Sequence, residues 1–115
     1  MTVKQLAQQT GFTVLCAQDS LENKVLHIYT CDLLSLVMGR AQEGDAWVTV
    51  MGNINSIAVA ALSDVACIVL AEGMCLDEDA LSKAAEQDIA VLASELPVYE
   101  TARIIEDALQ KSQLH

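Results

Sequence analysis

Apolar residues in this chain form short runs, separated by polar segments that carry turn and capping residues. Two runs are continuous, ACIVLA at 66–71 and IAVLA at 89–93, which is typical of strands covered on both faces of a parallel sheet. Two more strands are predicted at 12–17 and 46–51. Residues 24–31 alternate in period two, which predicts a strand with one face less buried than the other.

Capping residues between these runs predict where the first and the last two helices lie. Thr2 and Gln5 have the spacing of a capping box, and Gly11 ends the short helix that they begin. Asp77 precedes an acidic first turn, which complements the dipole of a helix over 78–87. Apolar residues spaced three and four apart predict a last helix near 97–111.

The middle helices are predicted from capping residues as well. Asp32 is placed as the N-cap of a helix over 33–42, with Gly44 as its stop. The turn at 52–55 holds two asparagines whose side chains can cap the helix over 56–63. That helix is apolar nearly all round, so we expect it to be buried.

The alternation of strands and helices predicts the fold class. Strands joined by helices of about 10 residues imply right-handed crossovers. We therefore expect an α/β fold, a three-layer α/β/α sandwich with a mainly parallel sheet. The length of 115 residues suits one domain, which we place at 1–115.

Composition excludes several classes of function. Sixteen acidic residues against six basic ones give a net charge of −10, and aromatic residues make up only 3%. A nucleic acid or an anionic membrane would be repelled, and few rings are present for stacking on bases. The chain shows neither a membrane-spanning run nor the apolar core of a signal peptide. We expect a cytoplasmic protein with its cysteines reduced.

A longer phrase in the middle of the chain resembles a known family. Residues 31–62 read CDLLSLVMGRAQEGDAWVTVMGNINSIAVAAL, followed by ACIVLAEG and then DIAVLASELPVYETARII. This phrasing is similar to the DRTGG family, and 25–105 carry the best match. The five letters that name the family do not occur, and Gly44, Asp45, Ala46 and Trp47 stand in their neighbourhood.

The resemblance has implications for fold and role. It implies a small α/β module similar to the N-terminal domain of HPr kinase/phosphorylase. Such modules are also found inside some pyrophosphatases that carry CBS domains and some phosphotransacetylases. As appendages to enzymes, related domains look like pairing or sensing units rather than catalysts.

No catalytic constellation is predicted. Gly39 and Gly44 have the glycine spacing of a phosphate-binding loop, but Asp45 and Ala46 follow where lysine and serine or threonine are required. His27 and Cys31, four apart on one strand, lie about 13 Å apart, too far to share a metal ion. We therefore predict no enzymatic activity, no metal and no cofactor.

The turn after the third predicted strand is the candidate binding site. It lies at the carboxyl end of a strand and the start of a helix, where ligands bind in open α/β sheets and free N–H groups favour anions. Ordinary capping by asparagine is the simpler alternative. Two more residues line the same crevice if their strands are neighbours. The candidate ligand-binding residues are Asp32, Thr49, Gly52, Asn53, Asn55 and Ser56.

Two single residues, Trp47 and Arg103, are candidates for contact with another molecule. Trp47 is the only tryptophan, and its ring is large enough to anchor a partner surface, although a place in the core is the alternative. Arg103 lies on the last helix near Glu106 and Asp107. An ion pair with either carboxylate is expected at helical spacing.

Three functional hypotheses follow. The first is a non-catalytic regulatory or protein-interaction module, a homodimer acting through an unknown partner enzyme or signalling protein. The alternative is a small-molecule sensor that binds a nucleotide or another anionic metabolite at the Asn53–Ser56 helix start. The third hypothesis, an enzyme or electron-transfer accessory that uses the cysteines, is motivated by four cysteines in 115 residues.

Overall fold

The computed structural model describes residues 1–113. Leu114 and His115, the end of the predicted domain, lie outside the described residues. A 3₁₀ turn spans Asp19–Glu22. The helices and strands follow the predicted order: α1 (Val3–Thr10), β1 (Thr13–Cys16), β2 (His27–Thr30), α2 (Leu34–Arg40), β3 (Asp45–Thr49), α3 (Ile54–Ser63), β4 (Cys67–Leu70), α4 (Glu78–Gln87), β5 (Val91–Ala93) and α5 (Val98–Gln113).

The five strands form one mainly parallel sheet in the order β1-β5-β4-β3-β2. The strands from β2 to β5 are parallel, whereas β1 joins the sheet antiparallel to β5. Successive right-handed crossovers run in one direction, so α2, α3 and α4 cover the same face. Helices α1 and α5 pack against each other on the other face. The predicted three-layer sandwich is confirmed.

The core consists of two apolar layers, one on each face of the sheet. Along β3, Ala46 and Val48 face α1 and α5, whereas Trp47 faces the layer of α2, α3 and α4. The same alternation continues along β4, and both strands are buried throughout. Coverage on both faces is the reason that β4 reads as a continuous apolar run.

Helix α1 is fixed by the predicted capping box. The Thr2 hydroxyl accepts a hydrogen bond from the amide of Gln5 at 3.1 Å, and the Gln5 side chain accepts one from the amide of Thr2 at 2.9 Å. The helix ends at Gly11, which has a φ of 76°. Few side chains other than glycine adopt this left-handed conformation.

Helix α2 is shorter than predicted, and its predicted cap is wrong. The helix begins after Leu33, which caps it without a side-chain hydrogen bond, because the Asp32 carboxylate bonds to β3 instead. The helix ends at Arg40 rather than near Gly44. Gly44 has a φ of 91° and forms the turn into β3.

Helix α3 is buried on one side only, contrary to the prediction that it is buried all round. Ile57 and Ala60 pack in the core, but Leu62 is 75% exposed and Ile54 45% exposed. The reason is the position of the helix in an outer layer, with α2 and α4 beside it and solvent above it.

Trp47 has no surface to offer a partner. Its side chain is 0% exposed, and its indole N–H donates a hydrogen bond to the carbonyl oxygen of Cys31 at 2.8 Å. The expectation that this ring anchors an interface is therefore corrected. β3 lies inside the sheet with helices over both faces, so the ring belongs to the core.

The cysteines are free thiols that differ in accessibility: Cys67 is buried and Cys75 is exposed. Burial raises the pKa of the Cys67 thiol to about 12, which keeps it neutral near pH 8, and the neutral thiol is not the nucleophile. We expect iodoacetamide to label Cys75 first and Cys67 only after unfolding, as measured by mass spectrometry of timed digests. Early labelling of Cys67 in the folded protein would contradict this prediction.

Among the helices within residues 1–113, none combines the length and the apolar character needed to cross a membrane.

Candidate functional site

The candidate residues meet at the carboxyl ends of β2 and β3. Asp32 follows β2, and Thr49 is the last residue of β3. Because these strands are parallel neighbours, the two side chains are in contact. The Thr49 hydroxyl donates to Asp32 Oδ1 at 2.6 Å, and the amide of Val50 donates to the same oxygen at 3.0 Å. The condition set in the sequence analysis, that the two strands are neighbours, is met, and Asp32 and Thr49 lie side by side in one crevice.

The start of α3 forms the second wall of this crevice. Asn53 is the N-cap of the helix, and its Oδ1 accepts from the amide of Ser56 at 3.0 Å and from the Ser56 hydroxyl at 3.3 Å. Capping thus occupies the Asn53 oxygen and the buried Ser56 hydroxyl. The groups left for a ligand are the Asn53 side-chain N–H₂, the exposed Asn55 side chain, and the amides of Ile54 and Asn55 in the first turn.

Gly52 allows the start of α3 to lie against the loop that precedes α4. A Cβ atom on Gly52 would lie 2.4 Å from the carbonyl oxygen of Cys75. The amide of Asp77 also donates to the carbonyl oxygen of Gly52 at 3.3 Å. The loops that precede α3 and α4 are therefore in direct contact, and only glycine permits that approach. We call the set Asp32, Thr49, Gly52, Asn53, Asn55 and Ser56 the edge site.

The charges around the edge site are negative. Asp32 lies within it, Asp77 lies beside Gly52, and neither 49–56 nor 71–80 contains a lysine or arginine. An anionic ligand there is attracted by helix amides but repelled by carboxylates. Residues 1–113 contain no group of three or more histidine, cysteine, aspartate or glutamate side chains that could hold a metal ion.

A second crevice, between β4 and β5, was missed by the sequence analysis. The chain leaves β4 toward one face and β5 toward the other, which is the usual position of a ligand in open sheets. Here the two loops bond to each other instead. The amide of Glu72 donates to Leu96 O at 2.8 Å, and the amide of Gly73 donates to Ser94 O at 2.9 Å. Hydrogen bonds between these two loops therefore occupy this position.

The glycine pair that resembles a phosphate-binding loop lies in the wrong structural context. Gly39 is inside α2, and Gly44 is in the turn before β3. A phosphate-binding loop connects a strand to a following helix, whereas this segment connects a helix to a following strand. Both the order of the elements and the negative charge of Asp45 are therefore unlike those of a phosphate-binding loop.

Arg103 does not form the predicted ion pair. Within residues 1–113 the close contacts between a basic side chain and a carboxylate are those of His27 with Asp45 and of Lys83 with Glu86. The exposed Arg103 and Glu106 instead line a shallow groove of about 320 Å³ beside Ile28, together with Tyr99 and Ala102. The cation is thus available to another molecule.

Comparisons with known proteins identify the family and the fold. The family model described as DRTGG domain matches residues 5–108. One solved structure, with a TM-score of 0.75 and 11% identity, covers 94% of this chain. It contains the CBS and DRTGG domains of the regulatory region of Clostridium perfringens pyrophosphatase, complexed with the activator diadenosine tetraphosphate. This chain spans 47% of that chain. No curated protein matches this chain.

Proposed function

The chain belongs to the DRTGG domain family, and we propose that it is a single non-catalytic regulatory domain that binds a nucleotide or another small anionic metabolite at the edge site. The similar structure supports a regulatory role, because it comes from the regulatory region of an enzyme and was solved with a dinucleotide activator. That chain also holds CBS domains, so its ligand supports the class of molecule and not the position.

The observation that carries the proposal is the convergence of unused hydrogen-bond donors at the edge site. The amides of Ile54 and Asn55 and the side-chain N–H₂ of Asn53 have no hydrogen-bond partner among residues 1–113. They lie at the N-terminus of α3, where the helix dipole adds positive potential. Phosphate oxygens are the ligands that such a group of donors binds best.

The carboxylates at this edge determine the form in which a nucleotide binds. Asp32 and Asp77 would repel a bare phosphate chain, and no cationic side chain from the surrounding loops offsets them. A nucleotide whose phosphates are neutralised by Mg²⁺ meets less repulsion. We therefore propose that the magnesium complex of the nucleotide is the bound form.

The test is isothermal titration of the purified chain with diadenosine tetraphosphate and with ATP, each with and without Mg²⁺. We expect heat of binding with Mg²⁺, and binding weaker by about tenfold or more in Asn55→Asp, which corresponds to about 1.4 kcal/mol. The new carboxylate repels phosphate but favours the helix start, so the melting temperature should not fall. Gln8→Glu adds the same charge at an exposed position of α1, away from the edge site, and is the matched control.

Either of two results would contradict the binding proposal. One is the absence of heat with both nucleotides in the presence of Mg²⁺. The other is equal loss of binding in Asn55→Asp and Gln8→Glu, because general charge repulsion would then explain the effect and the edge site would not.

Self-association is the second function that we propose. We propose that two copies form a homodimer, which acts through a partner enzyme or signalling protein. The observation in its favour is the exposure of Tyr99, which is 70% exposed on α5 and lines one groove with Ile28 of β2 and Ala102. Exposed apolar surface of this kind marks interaction sites when it is contiguous.

A further inference from the structure

We propose that β2 is the dimerisation edge of this protein, where the β2 strands of two copies pair antiparallel around a two-fold axis. The inference rests on the self-association proposed above and gives it a location. It is independent of ligand binding at the edge site, because it uses the outer side of β2 and the α5 surface beside it.

The first argument is that β2 is an unprotected sheet edge. The strand pairs with β3 alone, so its other side carries unpaired backbone groups. Soluble proteins protect such edges with charged residues, proline or bulges. Residues 26–31 read LHIYTC, without a proline, a lysine, an arginine or a carboxylate. Their register with β3 is unbroken, whereas the opposite edge strand, β1, has a register shift between Val14 and Cys16.

The second argument is the groove beside this edge. Ile28 of β2 and Tyr99, Ala102 and Arg103 of α5 line about 320 Å³ of open groove. Tyr99 is 70% exposed. Tyrosine rings are common in protein interfaces, where they are buried against the partner. A strand added next to β2 would cover Ile28 and bring its own α5 toward Tyr99.

Charge indicates that the added strand comes from a second copy. The chain carries −10 charges, so two copies repel each other over most of their surfaces. The segment 26–31 is the exception, since it contains no aspartate, glutamate, lysine or arginine. The groove rim holds one cation and one anion, Arg103 and Glu106, without an ion pair between them. In the proposed two-fold dimer, Arg103 of each copy faces Glu106 of the other copy, so the surface is complementary to itself.

Light scattering coupled to size-exclusion chromatography at micromolar concentration tests the proposal. We expect the wild type at twice the chain mass of 12.4 kDa. Thr30→Lys places a charge on the exposed edge of β2 and should give a folded monomer. Leu62→Lys places the same charge on the most exposed apolar side chain of α3 and should leave the dimer intact.

Charge reversal gives a test that misfolding cannot imitate. Arg103→Glu and Glu106→Arg should each weaken the dimer, and the double variant should restore it, because the two reversals exchange the charges across the axis. A monomeric wild type would overturn the proposal, and so would a dimer that survives Thr30→Lys or is lost in Leu62→Lys. The first of these results would leave the β2 edge open to a strand of a different protein.

Ligand titration of the Thr30→Lys monomer separates the two proposals. If this monomeric variant still binds nucleotide, ligand binding at the edge site does not depend on the dimer. A wild-type dimer without nucleotide binding shows the converse.

Discussion

Replacing Trp47 with alanine is expected to lower the free energy of unfolding by about 3–5 kcal/mol, the usual cost of deleting a large buried aromatic side chain. The ring is fully buried in the core layer under α2, α3 and α4. Its loss leaves a cavity and also leaves the carbonyl oxygen of Cys31 without the indole donor. Urea denaturation followed by circular dichroism measures the change.

Two further variants divide this cost into its parts. Trp47→Phe keeps most of the apolar contact but removes the indole N–H, so the unpaired Cys31 carbonyl should account for about 1–3 kcal/mol. Leu62→Ala removes an exposed side chain and should change stability by no more than about 0.5 kcal/mol. If Trp47→Ala dissociated a dimer without loss of stability, the ring would contribute to an interface after all.

Gly52→Ala should destabilise the protein by about 1–3 kcal/mol, because its methyl group would enter the space of the Cys75 carbonyl oxygen. The built Cβ lies 2.4 Å from that oxygen, and the obstacle is backbone, which cannot rotate away. The contact joins the loops before α3 and α4, so we also expect weaker ligand binding at the edge site. Thermal unfolding and titration of one preparation measure both effects.

Gly39→Ala is the matched control for Gly52→Ala. Gly39 lies inside α2 with nothing within 4 Å of a built Cβ. Alanine has the higher helix propensity, so this variant should be more stable by about 0.5–1 kcal/mol. Equal effects of the two substitutions would show that the contact with Cys75 does not constrain the loop.

The elements of the fold could be predicted because their signals are local. The runs at 66–71 and 89–93 contain β4 and β5, since burial on both faces requires apolar side chains at every position. The capping box of α1 needs only two residues three apart in the chain. Asp77 caps α4 for the same reason, through its contact with the amide of Ala80.

The errors came from contacts that are distant in the sequence. Asp32 has the residue type and position of a helix cap, but pairing of β2 with β3 places Thr49 and Val50 within reach of its carboxylate. For Trp47, core and interface were alternatives, because sequence alone does not show that helices cover both faces of β3. Arg103 has a suitable helical spacing for an ion pair, yet no such pair forms within residues 1–113.

In the candidate site, too, the local contacts could be predicted from the sequence and the distant contacts could not. The role of Asn53 as cap followed from its position before an apolar helix, and the structure contains that cap. The contact of Gly52 with Cys75 had no local signal, because it depends on how closely the loops after β3 and β4 approach. The occupation of the crevice between β4 and β5 depends likewise on hydrogen bonds between two loops.

The antiparallel strand β1 has a consequence for the order of folding. Its residue Thr13 pairs with Ala93 of β5, and the Asp88 carboxylate binds Gln18 and Ser20, which are 68–70 positions away in the chain. Each parallel pair from β2 to β5 closes a much shorter loop, at a smaller entropic cost. During synthesis β1 therefore leaves the ribosome well before β5, and it can take its place in the sheet only after β5 has been made.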